Sequence, residues 1–139
     1  MAITYSALQD AFMMASIDGM GEQEVYLSRE TGEVHWHNEF GDNIEELPDD
    51  VDDATKYVRV PGRKDLDLGR PLVMSFVEEH LPDDFDDVRR FFGRRGAYAK
   101  FRALLTRRRA LDRWYDFEAK AEERALREWC KDNGVTLED

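Results

Sequence analysis

The spacing of apolar residues changes along the chain, and this change constrains the fold more than any other feature. In residues 24–37, apolar side chains fall at every second position, the period of a strand with one buried face. After residue 68 they recur at intervals of three and four, the period of an amphipathic helix. We therefore predict an α+β fold, in which a small antiparallel sheet is covered by a helical C-terminal half.

Residues 24–37 predict a β-hairpin. Val25 and Leu27 share one face of its first strand, and the second strand repeats the alternation through Trp36. The loop between the strands ends in Gly32, which can adopt the positive φ that tight hairpins need. Residues 57–61 predict a short third strand, which ends in a proline that cannot donate to a ladder.

Helical patterns lie on both sides of this predicted sheet. Residues 4–17 predict a first helix that Thr4 or Ser6 could cap. After residue 68, apolar stripes separated by proline or glycine predict at least three more helices. Four aromatic residues on apolar faces are predicted to be buried: Trp36, Phe76, Phe101 and Trp114.

The length of 139 residues predicts a single domain over 1–139. Within it we expect an acidic α/β head at about 1–60 and a helical, basic part at about 67–133. The Asn133-Gly134 pair is a typical helix stop. Residues 134–139 are therefore expected to form a frayed tail.

Charge is divided unevenly along the chain. Residues 1–58 contain 14 acidic and two basic side chains, whereas residues 89–113 contain ten basic side chains and one acidic. The net charge of −11 disfavours unaided attraction to nucleic acid or anionic lipid, although a local patch can override it. The division suggests either a chain that docks on itself or a protein that meets a charged partner.

The basic segment is the main candidate site. Its cations alternate with aromatic residues. In a nucleic-acid-binding protein, such cations contact the phosphates and such aromatic rings stack on the bases. A helix that starts after Gly96 would also offer free N–H groups to an anion. The predicted anion or nucleic-acid surface consists of Arg89, Arg90, Arg94, Arg95, Lys100, Arg102, Arg107, Arg108 and Arg109.

Two other interpretations of this segment stay open. Its aromatic residues also fit the apolar stripes of their helices, so they can belong to the core. Its arginines can instead pair with the acidic residues between Glu45 and Asp53 of the same molecule. The sequence does not decide whether the surface is functional or is neutralised by the acidic 42–53 loop.

Two histidines form a weak candidate for a metal site. His35 and His37 would share one face of a strand with Glu33 and Glu39, and a His-x-His pair with a carboxylate can bind Zn²⁺. A polar solvent face explains the same alternation, and His80 lies on an apolar helical stripe. We expect no metal and no cofactor.

Other segments give weaker signals. The acidic run at 49–53 lacks the spacing, central glycine and closing glutamate of a calcium-binding EF-hand loop. Cys130 is a single cysteine without an internal disulfide partner, which fits a reducing compartment. Neither a signal peptide nor a stretch of about 20 apolar residues is recognisable, so we expect a cytoplasmic protein that does not bind membranes.

Several blocks resemble a known family. They are the hairpin YLSRETGEV, then MSFVEEHL, GRRGAYAKFRALL and DRWYDFEAKAEERALREWCKDNGV. Over roughly residues 8–135 the chain resembles the uncharacterised bacterial protein family number 0158 of the UPF series. That resemblance implies a compact cytoplasmic α+β protein and supplies no catalytic residues. His35 and His37 depart from the pattern expected after the hairpin turn.

Three hypotheses for the function follow from the sequence. The first is a non-enzymatic cytoplasmic interaction module that acts on an unknown protein partner through a charged surface. The second is a weak nucleic-acid binder that uses the basic 89–113 surface. The third is a small enzyme of unrecognised type, although none of the phosphate-loop, dinucleotide, zinc-protease or nucleophile-elbow motifs occurs and we predict no catalytic residue.

Overall fold

A computed structural model describes residues 2–17, 23–38 and 47–138. These residues form an α+β fold with most helices in the C-terminal half, which confirms the predicted class.

The strands are Ala2–Thr4 (β1), Gln23–Ser28 (β2), Val34–Asn38 (β3), Tyr57–Arg59 (β4) and Thr136–Glu138 (β5). The α-helices are Tyr5–Ala15 (α1), Arg70–His80 (α2), Phe85–Phe91 (α3), Ala97–Arg107 (α4) and Leu111–Asn133 (α5). Single 3-10 turns lie at Lys64–Leu66 and Pro82–Asp84.

The chain divides into two compact units. The first contains Met1–Leu66 and Leu126–Asp139, and the second contains Asp67–Ala125. Helix α5 therefore contributes its first part to the second unit and its last part to the first. Residues 126–133, which the sequence assigned to the helical part, group with the acidic head. The single domain stays a prediction.

The predicted hairpin is confirmed. Strands β2 and β3 pair antiparallel with Val25 opposite Trp36, and β4 pairs antiparallel with the other edge of β2. Gly32 has a φ of 78° in the turn, and its N–H donates to the Ser28 carbonyl. Val25 is buried, so one face of this three-stranded sheet forms part of a core.

Trp36, predicted to be largely buried, is partly buried and is thus covered less completely than the other three predicted aromatics. Strand β3 is an edge strand that pairs with β2 alone. A side chain on an edge strand has strand neighbours on one side only, so it is covered less completely than a side chain on the central strand.

The C-terminal tail is also corrected. Gly134 ends α5 with a φ of 69°, as the helix-stop signal predicted. The residues after it are not frayed, since β5 pairs in parallel with β1 and places Leu137 opposite Ile3. A strand of three residues is too short to show an apolar period, and its partner lies at the other end of the sequence.

Helix α1 confirms the first predicted helix and its cap. The Oγ1 of Thr4 accepts a hydrogen bond from the Ala7 N–H at 3.1 Å, which satisfies one of the free donors of the first turn. Leu8 and Phe12 are buried on one face. The glycines predicted to end this helix, at 19 and 21, lie outside the described residues.

An aromatic cluster forms the core of the second unit. Phe76, Phe101 and Trp114 are 0, 2 and 6 % exposed, which confirms three of the four predicted buried aromatics. The Trp114 ring meets Phe76 and Phe101 edge-on at centroid distances of 5.3 and 5.1 Å. Edge-to-face contacts of this kind favour a defined packing arrangement.

Candidate interaction surface

The turn between α3 and α4 presents two arginines at the surface. Gly96 has a φ of 75° and precedes α4, a left-handed conformation that a residue without a Cβ adopts at little cost. Arg94 and Arg95 are exposed in this turn. Helix α4 begins without a side-chain cap and without acidic residues in its first turn, so nothing in its own sequence opposes a negative charge there.

Three of the nine predicted surface residues are paired within the second unit. Arg108 binds Asp84 through two hydrogen bonds of 2.9 and 3.0 Å. Arg90 binds Asp87, and the Arg89 guanidinium lies 4.0 Å from the Asp86 carboxylate. These cations are therefore partly neutralised by carboxylates at the start of α3 and in the preceding 3-10 turn.

The Asp84–Arg108 pair affects both of its groups. Hydrogen bonds from Arg108 lower the pKa of Asp84, and the same bonds raise the pKa of the Arg108 guanidinium. Asp84 is 6 % exposed, so its ionised form is held mainly by this arginine. We assign the pair a structural role rather than a binding role.

The other six predicted residues are exposed, and their side chains form no ion pair in the described part of the chain. We call these six residues the basic surface: Arg94, Arg95, Lys100, Arg102, Arg107 and Arg109. Arg113, which the predicted set left out, is equally exposed and without an ion pair among the described residues. The sequence signal for it was present, because it lies in the same basic segment.

The aromatic residues of this segment are mostly unavailable for stacking. Phe101 is buried, and Phe91 and Phe92 are partly buried. Tyr98 is 52 % exposed, and its ring meets Phe92 edge-on at 5.1 Å. The interpretation that the aromatics belong to the core therefore holds for Phe101, whereas Tyr98 is exposed beside the basic surface.

The candidate histidines lie where the strand period predicted. His35 and His37 face Tyr26 and Glu24 across the hairpin, and the His35 ring packs edge-on against Tyr57 at 5.8 Å. The His35 Nε2 lies 3.9 Å from a carboxylate oxygen of Glu33. Among the described residues no three His, Cys, Asp or Glu side chains come together as a metal site would require.

The described part of the acidic loop is held by local contacts. Lys56 binds Asp50 at 3.0 Å, a hydrogen bond that raises the pKa of the lysine. Asp53 accepts hydrogen bonds from the hydroxyl and N–H of Thr55, which lower the pKa of its carboxyl group. The predicted pairing partners at 42–46, including Glu45, lie outside the described residues, as does Glu39.

Cys130 is buried on α5 in the first unit. Burial raises the pKa of its thiol, and the positive charge of Arg127 offsets part of that rise. A thiol with a raised pKa is mostly protonated near neutral pH and is a poor nucleophile. Cys130 is therefore a packed thiol rather than a reactive one.

Comparisons with family models, curated proteins and solved structures give no match to this chain. Across the described residues, every helix is too short or too polar to cross a membrane. The site must therefore be interpreted from its own residues.

Proposed function

We propose that this protein is a non-enzymatic cytoplasmic interaction module, which binds an acidic segment of a partner protein through the basic surface. The observation that carries this proposal is the set of six exposed cations without ion pairs in the described residues. A carboxylate-rich partner would supply the counter-charges that these cations lack among the described residues.

Charge distribution supports a protein partner over nucleic acid. The first unit contains 19 acidic and seven basic residues, whereas the second contains 12 acidic and 13 basic residues. The net charge of −11 opposes a long polyanion more strongly than a short acidic segment, because repulsion grows with the charge of the ligand. Tyr98 also provides little aromatic area for base stacking.

The resemblance to family number 0158 of the UPF series stays a proposal that rests on the sequence blocks alone. It agrees with an α+β protein and adds no chemistry. The nucleic-acid hypothesis is the alternative that the same surface allows, and it is an outcome of the test below. The hypothesis of a small enzyme has no supporting residue cluster among the described residues.

Fluorescence anisotropy can test the proposed function. A labelled peptide of alternating Glu and Ala is titrated at about 0.15 M salt, where exposed charges interact over about 8 Å. Single-stranded and duplex oligonucleotides of random sequence serve as competing probes. We expect saturable binding of the peptide and no measurable binding of either nucleic acid.

Variants locate the binding. Replacing Arg94, Arg95 and Lys100 together with Ala should weaken peptide binding about tenfold, since three exposed pairs at about 0.5 kcal/mol each sum to about 1.5 kcal/mol. The control replaces Arg124 and Lys131, two exposed cations outside the basic surface, and should bind as the wild type does. Tight nucleic-acid binding that the triple variant loses would instead support the second hypothesis.

A further inference from the structure

The chain carries exposed, unpaired charges of both signs. The basic surface lies in the second unit. In the first unit, Asp49 and Asp52 are exposed on the acidic loop and form no ion pair with a described residue, whereas the neighbouring Asp50 is held by Lys56. Each unit therefore displays exposed charges that form no ion pair among the residues that the structure describes.

We infer that Asp49 and Asp52 of one copy bind the basic surface of a second copy, so that the chain associates with itself. This inference rests on the proposed function, because it names the acidic partner of the same surface. Charge complementarity between Asp49 and Asp52 on one copy and Arg94 and Arg95 on the next supports it. Both sets of side chains are exposed in a single copy.

The chemistry of this contact determines how the assembly behaves. The contact joins different residues on the two copies, so two reciprocal contacts give a closed pair and repeated one-way contacts give a ring or an open chain. The net charge of −11 makes whole copies repel one another. Salt of about 0.1 M limits that repulsion to about 10 Å and leaves close ion pairs as the deciding interaction.

Sedimentation velocity of the full chain tests the inference. Exposed ion pairs contribute little individually, so we use protein concentrations up to about 0.5 mM. At about 0.1 M salt the average mass should rise with concentration above the 16.3 kDa of one copy. At about 0.5 M salt, where the Debye length falls below about 5 Å, that rise should disappear.

Two variants define the two surfaces. A surface variant carries Arg94→Ala with Arg95→Ala, and a loop variant carries Asp49→Asn with Asp52→Asn, so that neither change creates a new charge of the opposite sign. Each alone should remain at 16.3 kDa, because its copies share the same defective surface. An equal mixture should form a complex of about 33 kDa, twice the mass of one copy, and nothing larger, since one intact surface remains on each partner.

A charge-matched control separates the surface from net charge. Arg124→Ala with Lys131→Ala lowers the net charge by the same amount as the surface variant does, and it should associate as the wild type does. Loss of association in this control, association of either defective variant alone, or no complex in the mixture would overturn the inference. A wild-type chain that stays monomeric but binds the acidic peptide through the basic surface would overturn the inference and leave the proposed function standing. If the wild-type chain neither associates with itself nor binds the acidic peptide, both the inference and the proposed function are wrong.

Discussion

Asp84 and Arg108 form a two-point ion pair between residues 24 positions apart in the sequence. Arg108 Nε lies 3.0 Å from one carboxylate oxygen, and Nη2 lies 2.9 Å from the other. The pair ties the 3-10 turn Pro82–Asp84 to the residue that follows α4. A two-point geometry of this kind fixes the orientation of the two side chains as well as the distance between them. It therefore links two elements that lie far apart in the sequence.

Replacing Asp84 with Asn should destabilise the protein. The carboxylate is 6 % exposed, and hydrogen bonds to charged groups are worth about 1.5–3 kcal/mol. We expect the free energy of unfolding in urea at pH 7 to fall by that amount. Asp83→Asn is the matched control on an exposed carboxyl of the same turn, and a change above about 0.5 kcal/mol there would contradict the assignment.

The same pair predicts a pH dependence. Because Arg108 lowers the pKa of Asp84 in the folded state, this carboxyl contributes full stability above its unfolded pKa of about 3.9. That contribution is lost as the pH falls through the lower, folded value. The difference in unfolding free energy between wild type and Asp84→Asn should therefore shrink below about pH 4. A difference that stays constant between about pH 7 and pH 3 would count against this assignment.

Arg29 should be a second stabilising residue, in the first unit. Its Nε donates to the Ala54 carbonyl at 2.9 Å, and its Nη1 donates to the Asn133 carbonyl at the end of α5 at 2.6 Å. The last carbonyls of a helix lack partners inside the helix and attract a cation. Arg29→Ala should lower the unfolding free energy by about 1.5–3 kcal/mol.

A lysine at position 29 provides the matched control. Arg29→Lys keeps the charge but lacks the planar fork that reaches two acceptors, so we expect it to restore only part of the stability. Chemical denaturation of the three proteins at one salt concentration measures this. Full rescue by lysine would show that charge alone matters at this position.

Phe101→Ala should cost about 3–5 kcal/mol, the usual range for removing a buried aromatic ring. Phe101 is 2 % exposed and packs against Trp114. Tyr115→Ala, at a residue that is 48 % exposed, should cost less than about 1 kcal/mol. Urea denaturation of the two variants measures both free-energy changes. A cost below about 1 kcal/mol for Phe101→Ala would contradict the burial of Phe101 in the core.

Chelator treatment should leave the melting temperature of the purified protein unchanged. Among the described residues no three potential ligands come together at His35 and His37, and a structural Zn²⁺ needs four. A fall of several degrees that Zn²⁺ restores would contradict this expectation. The His35→Ala, His37→Ala variant would then show whether these two residues are responsible.

Interactions between nearby residues were the most predictable from the sequence. The alternation at 24–37 with Gly32 identified the hairpin, because side-chain period and turn conformation both depend on adjacent residues. Thr4 was one of two proposed caps for α1 and is the one observed. The apolar period also placed Phe76 and Phe101 in the core, because a helix must bury its apolar stripe.

Contacts that join distant segments were decided by the tertiary structure alone. The partners of Arg108 and Arg29 have no local signal, since any exposed arginine can reach several acceptors and only the fold selects one. Strand β5 pairs with β1 at the opposite end of the chain, although a three-residue strand shows no period of its own. Trp36 is only partly buried because β3 became an edge strand. The sequence thus determined which elements form and which of their faces are apolar. Strand order and ion pairing were decided only when the elements packed, because each depends on which elements become neighbours in space.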